Sequence, residues 1–154
     1  MFTGDRSGDW LYRAMYRAGL ANQPTSVSAT DGLVLTGARV TSAVRCAPPD
    51  NKPTNEERDR CAPYLAAEFD LCPEARVVVV LGAFAYAAVW RLLGDRGVTL
   101  PRPRPRFVHG LEVPLGPLTL IGSFHPSQQN TFTGKLTEPM LDAVFARAVE
   151  LAGR

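Results

Sequence analysis

The sequence lacks any apolar run approaching the roughly 20 residues that a membrane-spanning helix needs. Its first residues, Met1 to Arg6, carry no apolar stretch of the secretory kind, so a cytoplasmic protein without membrane attachment is expected. With only three cysteines a disulfide framework is excluded, and the thiols point to metal ligation or simple burial. The net charge of +2 is too small for composition alone to indicate nucleic-acid binding. A glycine-rich phosphate loop is also absent, since Gly82-Ala83-Phe84-Ala85 is too sparse for one. No internal repeat occurs. What is present, 45% hydrophobic and 21% charged residues over 154 positions, fits one globular domain, residues 1–154, expected as a monomer.

Helical and extended signals alternate along the chain. Ser7 is a plausible N-cap for a helix over Gly8 to Leu20, with Leu11, Met15 and Ala18 at helical spacing and Gly19 or Asn22 to end it. The Trp10, Leu11, Met15 stripe reads as core. After a polar loop, Gln23 to Thr30, residues Leu33 to Arg45 read as extended, with Val40 and Val44 the most strand-like positions. Thr54-Asn55-Glu56-Glu57 fits a capping box, opening a helix to about Phe69 with Cys61, Tyr64, Leu65 and Phe69 near one face. Arg76 to Gly82 is a continuous β-branched run of the kind buried on both faces of a parallel sheet. An Ala-rich helix, Ala83 to Leu93, follows. Pro101 to Arg106 is an extended linker, Phe107 to Pro114 is β-like, Leu118 to Phe124 is a second apolar strand, and His125 to Gly134 is a polar loop. A last helix runs from Glu138 to Leu151. This alternation predicts an α/β layered domain with a mostly parallel sheet, whose ligands sit beyond the carboxyl ends of the strands.

Three places could carry chemistry. His125 follows a strand directly and precedes Pro126, so it is held at the sheet's carboxyl edge; a capping histidine in a surface turn is the plainer reading. Cys46 and Cys61, fifteen positions apart, could converge on a metal or be two buried thiols. Asp5, in a glycine-bounded turn before a helix, could orient a water or merely cap the helix. Arg102, Arg104 and Arg106 alternate with prolines and could contact phosphates or form a solvated linker. Ser127, Lys52 and Lys135 are further phosphate candidates.

The run His125-Pro126-Ser127-Gln128-Gln129-Asn130-Thr131-Phe132-Thr133-Gly134 resembles the second signature motif of the uracil-DNA glycosylases, in its family-five (type b) form. Cys46-Ala47-Pro48-Pro49-Asp50-Asn51-Lys52-Pro53, followed by Cys61-Ala62-Pro63-Tyr64-Leu65, is similar to the downstream half of the cluster site in the iron–sulfur members. The resemblance spans Phe2 to Ala148. It implies a three-layer α/β/α sandwich and hydrolysis of the N-glycosidic bond of uracil, with other deaminated bases possible substrates, in DNA. Because that bond is inaccessible inside the stack, the base must be flipped out. By the same match His125 steadies charge on the departing base, Asp5 positions the attacking water, and Asn51 assists at the base or the water. Pro126, Ser127, Gln128, Gln129 and Asn130 form the loop that enters the duplex. Cys46 and Cys61 supply two of the four thiolates of a 4Fe–4S cluster. Cys72 matches no ligand position and reads as packing.

Two segments of the resembling family are not in this chain: an N-terminal helix bearing Cys-x-x-Cys, and a central first strand ending in Gly-Leu-Ala-Pro-Ala. The resemblance therefore implies two strand edges left unpaired, an incomplete cluster site, half of a base pocket, and a start placed at an internal Met. This fragment could accordingly be inactive. A non-catalytic DNA-binding remnant of the same fold, or an unrelated α/β protein for a small ligand, are the alternative readings.

Overall fold

The computed structural model describes residues 3–46 and 52–153. Helix α1 (Arg6–Arg17) is followed by a long irregular stretch, then α2 (Asn55–Asp70), β1 (Val77–Leu81), α3 (Ala83–Asp95), β2 (Glu112–Leu115), β3 (Leu118–Ser123), α4 (Gln128–Phe132) and α5 (Glu138–Leu151). The sheet order is β1-β3-β2. β1 runs parallel to β3, Val77 opposite Thr119 through Leu81 opposite Ser123, and β2 pairs antiparallel with β3. The sheet is thus mixed, with β3 at its centre between a parallel and an antiparallel neighbour.

Alternation along β1 covers both faces of this sheet. Val78 and Val80 pack with Tyr86, Val89 and Leu93 of α3, while Val77 and Val79 pack with Val144 and Ala148 of α5. Behind α3 lies α2, through Leu65 against Ala88 and Leu92; behind α5 lies α1, through Leu11, Met15, Leu141 and Phe145. Helices on both sides of one sheet make the three-layer α/β/α arrangement the sequence predicts. Two surface arginines of α1 reach across to α5, Arg13 to Glu138 at 3.2 Å and Arg17 to Asp142 at 2.8 Å. Being exposed, such pairs contribute little.

Several boundaries move. The cap of α1 is Asp5 rather than Ser7, so the helix begins at Arg6. It ends where Gly19 takes φ +75°, with Leu20 N–H donating to Met15 O and Gly19 N–H to Tyr16 O, a Schellman closure. The capping box at Thr54 is present with both of its bonds. Of the expected α2 face Leu65 is buried, but Tyr64 is 58% exposed, with the Arg45 guanidinium above its ring. The loop after His125 contains a short helix, α4, which the sequence reading missed.

Residues 33–45 form no strand. Their ladder is a single bridge, Ala21 to Leu35. Leu33, Leu35, Ala38 and Val40 lie on the α1–α5 cluster and Ala43 on the α2–α3 cluster, so the segment carries the chain between layers. A strand needs a neighbour for its backbone groups, and among the described residues none runs beside this one. Among the described residues β1 is likewise paired only with β3, and only Val80 of its five residues is fully buried. The expected burial of the whole run on both faces is therefore corrected to partial burial.

Residues 107–111 complete the sheet's far side without strand geometry. Gly110 N–H donates to Gly122 O at 2.8 Å and Gly122 N–H to Leu111 O at 2.7 Å. A Cβ on Gly122 would stand 3.1 Å from the Val108 carbonyl oxygen and 3.2 Å from both Leu111 Cβ and the Phe107 ring. Gly122→Ala should therefore push this segment off β3 and cost about 1–3 kcal/mol, read as a lower midpoint in denaturant unfolding.

Candidate active site

The parallel pairing ends level at Leu81 and Ser123, so the turns that follow β1 and β3 emerge together at the carboxyl edge. Gly82 N–H donates to Ser123 O at 2.8 Å, which ties the two turns. Gly82 has φ +92° and ψ 162°, a region essentially reserved for glycine, and a Cβ there would lie 3.3 Å from His125 Cβ. Any larger residue would both strain the turn and press on the histidine.

His125 stands half-buried at this edge. Pro126 behind it is fully buried, and the His125 carbonyl accepts from Asn130 Nδ2 at 2.9 Å. Asn130 O in turn accepts from Leu136 N–H at 2.9 Å, anchoring the turn to a core leucine. Ser127 is the N-cap of α4, its hydroxyl accepting from Asn130 N–H. Gln128 and Gln129 point outward and are exposed. Pro126, Ser127 and Asn130 thus build the loop, and Gln128 and Gln129 are the members it presents.

Of the two roles considered for Asp5, the structure shows the helix cap. As N-cap of α1, its Oδ1 accepts from Gly8 N–H at 2.6 Å. Its charge also reaches His125: burial pushes the imidazole below its ordinary value, and Asp5 pulls it back up. The same carboxylate, with Asp31, adds to the burial that raises the Tyr12 phenol. The Gly4 N–H bond to Ser26 O at 2.8 Å holds the turn carrying Asp5. Nearby, Thr3, Tyr12, Ser26, Asp31 and Val40 line an open cavity of about 400 Å³, which does not include His125.

The cysteines form a second corner. Arg45 N–H points at Cys61 Sγ at 3.4 Å, so Cys46, the next residue, lies beside the start of α2. Cys46 Sγ is 4.0 Å from Glu57 Oε1, whose carboxylate is already engaged in the capping box. Cys72 lies past the far end of α2, about 14 Å of helix from Cys61. Among the described residues no group of three or more His, Cys, Asp or Glu could hold a metal. Two thiols and a backbone N–H aimed at one of them suit half of a four-thiolate set, and this corner supplies no more. Asn51 lies outside the described residues.

The other basic candidates divide. The Arg104 guanidinium sits 4.4 Å over the Tyr86 ring and 5.7 Å from Trp90, while Tyr86 Oη donates to Pro105 O at 2.8 Å. That contact staples the Pro-Arg stretch to α3. Arg102 and Arg106 are exposed. Lys135 Nζ lies 4.8 Å over the Phe124 ring, beside His125, and Lys52 is exposed.

His109 was missed. Its Nδ1 accepts from Phe124 N–H at 3.2 Å and lies 3.5 Å from Ser123 Oγ, and its ring packs 5.2 Å from that of Phe124. Burial lowers its basicity, and a hydrogen bond to the Met140 backbone opposes that shift. The only sequence signal is that a second histidine sits in Val108-His109-Gly110, a segment with no periodic pattern.

Because the unfolded imidazoles bind protons near pH 6.5 and the folded ones only below it, stability contributed by His125 and His109 is complete above about pH 6.5 and lost as pH falls beneath it. Asp5→Asn keeps an N-cap but removes the charge that supports the His125 imidazolium. NMR titration of the ring nitrogens should show the His125 midpoint falling further in this variant, while that of His109 stays put.

A sequence model of the uracil DNA glycosylase superfamily matches residues 1–149. A type-5 uracil-DNA glycosylase of Mycobacterium bovis is 53% identical, over 99% of this chain and 56% of that protein. One of Thermus thermophilus is 46% identical, covering 99% of this chain and 67% of the relative, and one of Pyrobaculum aerophilum is 40% identical, covering 99% and 64%. The chain spans little more than half the length of the mycobacterial relative. Among the described residues no helix is long and apolar enough to cross a membrane. The similarity covers the His125 turn, the cysteine corner and the core alike, and the chain belongs to the uracil DNA glycosylase superfamily, in its type-5 branch.

Proposed function

We propose that this chain serves as the catalytic part of a cytoplasmic, monomeric base-excision repair enzyme that hydrolyses the N-glycosidic bond of uracil in DNA. The observation that carries this reading is the placement of His125 at the carboxyl edge of the parallel pair, directly beyond β3 and within the electrostatic reach of the Asp5 carboxylate. The lesion would leave the stack and present its carbonyl oxygen to His125. As the bond breaks, electrons pass to the base and the sugar gains oxocarbenium character. A hydrogen bond from the imidazole then strengthens with the charge on the leaving oxygen. A water ordered by Asp5 adds to the sugar carbon and loses its proton, leaving free base and an abasic site. Gln128 and Gln129, exposed on α4, would occupy the gap in the duplex, with Pro126, Ser127 and Asn130 bracing them. Other deaminated bases are further substrates to assay, and Asn51 is assigned an assisting role by its match to the family motif alone.

Cys46 and Cys61 would be two ligands of a 4Fe–4S cluster, which, when bound, would tie down the loop between them rather than take part in the hydrolysis. Arg102, Arg106, Lys52 and Lys135 are available for phosphate contacts.

The test uses the whole protein and a uracil-containing duplex, scoring abasic sites after alkaline cleavage. Wild type should release uracil. His125→Ala should lower the rate by about 10²–10³, and Asp5→Asn by about 10². Failure of wild type to cleave while still binding DNA would favour the non-catalytic remnant. In parallel, Cys46→Ala should abolish the visible absorption and iron content of the purified protein; unchanged iron would remove Cys46 from the ligand set.

A further inference from the structure

Every part of the proposed reaction requires His125 to be aimed. Asn130 holds its carbonyl side, and the peptide leading into it from β3 is held at its oxygen by Gly82 N–H and at its own N–H by His109. Phe124 N–H, the last backbone donor before His125, is directed at His109 Nδ1 at 3.2 Å. An imidazole nitrogen can accept there only if it carries no proton, so the ring is neutral with its proton on Nε2, toward the Met140 backbone. His109 is itself held in place. Gly110 and Leu111 bond both polar groups of Gly122, the bare Cα of Gly122 lets that segment approach, and the ring stacks beside Phe124. Met140, in the first turn of α5, completes the bracket from the other layer.

We propose that His109 is the positioning residue of the site: its neutral Nδ1 captures the Phe124 amide, and so sets the direction in which β3 delivers His125. This rests on His125 being the group that meets the base. An ordinary core histidine would be replaceable by any ring of similar bulk; a positioning histidine would not, because what matters is one acceptor at the Nδ1 position.

Two variants separate these cases. His109→Phe keeps a ring but has no acceptor, whereas His109→Asn places Oδ1 where Nδ1 stood and removes the ring. In the whole protein, His109→Phe should raise the amide exchange rate at Phe124 and His125 and lower kcat by tenfold or more, about the effect of a misplacement near 1 Å, with KM little changed. His109→Asn should restore both the protection and most of kcat. Wild-type exchange and kcat in His109→Phe would overturn the proposal, as would a His109→Asn variant that folds but is as impaired as His109→Phe. If His109→Phe does not fold, His109→Asn decides: Phe124 protection retained supports the assignment and protection lost refutes it. A wild type that releases no uracil would sink the glycosylase reading, while amide exchange would still decide whether His109 sets the turn.

Discussion

The constraint on which the site depends is the level ending of two parallel strands. Leu81 lies opposite Ser123, and the Gly82 N–H to Ser123 O bond at 2.8 Å closes the ladder one residue beyond. Parallel strands joined through a helix need not finish together; here they do, so the entry to α3 and the turn bearing His125 leave the sheet side by side. A slip of one residue would exchange the faces of every β3 side chain. Leu120, now against α3, would face α5, and Phe124 N–H would turn away from His109. The register thus couples the core to the site, because the residues that forbid the slip are the buried valines and leucines.

Glycine at two positions makes the coupling tight. Gly82 supplies a backbone conformation that other residues resist and leaves room for His125 Cβ, while Gly122 admits the Val108–Leu111 segment and with it His109. Both are places where the backbone itself is the packing surface. Their chemistry is absence of a side chain, so they are visible in a sequence only once the neighbours are known.

Local signals explain what was legible. The run Val77 to Leu81, the capping box at Thr54 and the helix from Glu138 to Leu151 each follow from residues within a few positions, and each stands where expected. The place of His125 at the sheet edge is legible from the strand before it and the proline after it, while the role expected of it came from the resemblance of its motif to the family's. The Arg45 N–H directed at Cys61 Sγ brings the chain that carries Cys46 to the side of α2, a contact across sixteen positions. The failures have the opposite character. Residues 33–45 look extended, but a strand is a property of a pair, and the sequence of one partner cannot supply the other. Ser7 and Asp5 both satisfy the cap preference; choosing between them depends on the turn held by Gly4 and Ser26, some twenty residues apart. α4 is five residues long and is set by the Ser127 hydroxyl more than by any periodicity. His109 functions only through Phe124 and Met140, contacts separated by 15 and 31 positions, and nothing beside it in the chain announces them.

Two histidines whose basicity burial lowers also bear on the chemistry. At His109 the unprotonated nitrogen is needed as an acceptor, and burial secures it. At His125 burial acts in the same direction, but Asp5 opposes it, leaving an imidazole whose bound proton grows more favourable as negative charge gathers in front of it. The leaving base would provide that charge, so the hydrogen bond strengthens at the moment it is required and not before, which is the condition for lowering the barrier rather than merely binding substrate. Under the proposed mechanism Asp5 would add a placed water. Its Oδ1 is committed to the Gly8 N–H at 2.6 Å, so the carboxylate is oriented by the helix it caps, and the reaction would draw on Oδ2 to order the water. An oxocarbenium-like sugar is electrophilic enough to need a placed water more than an activated one, and a helix cap is a rigid way to place it.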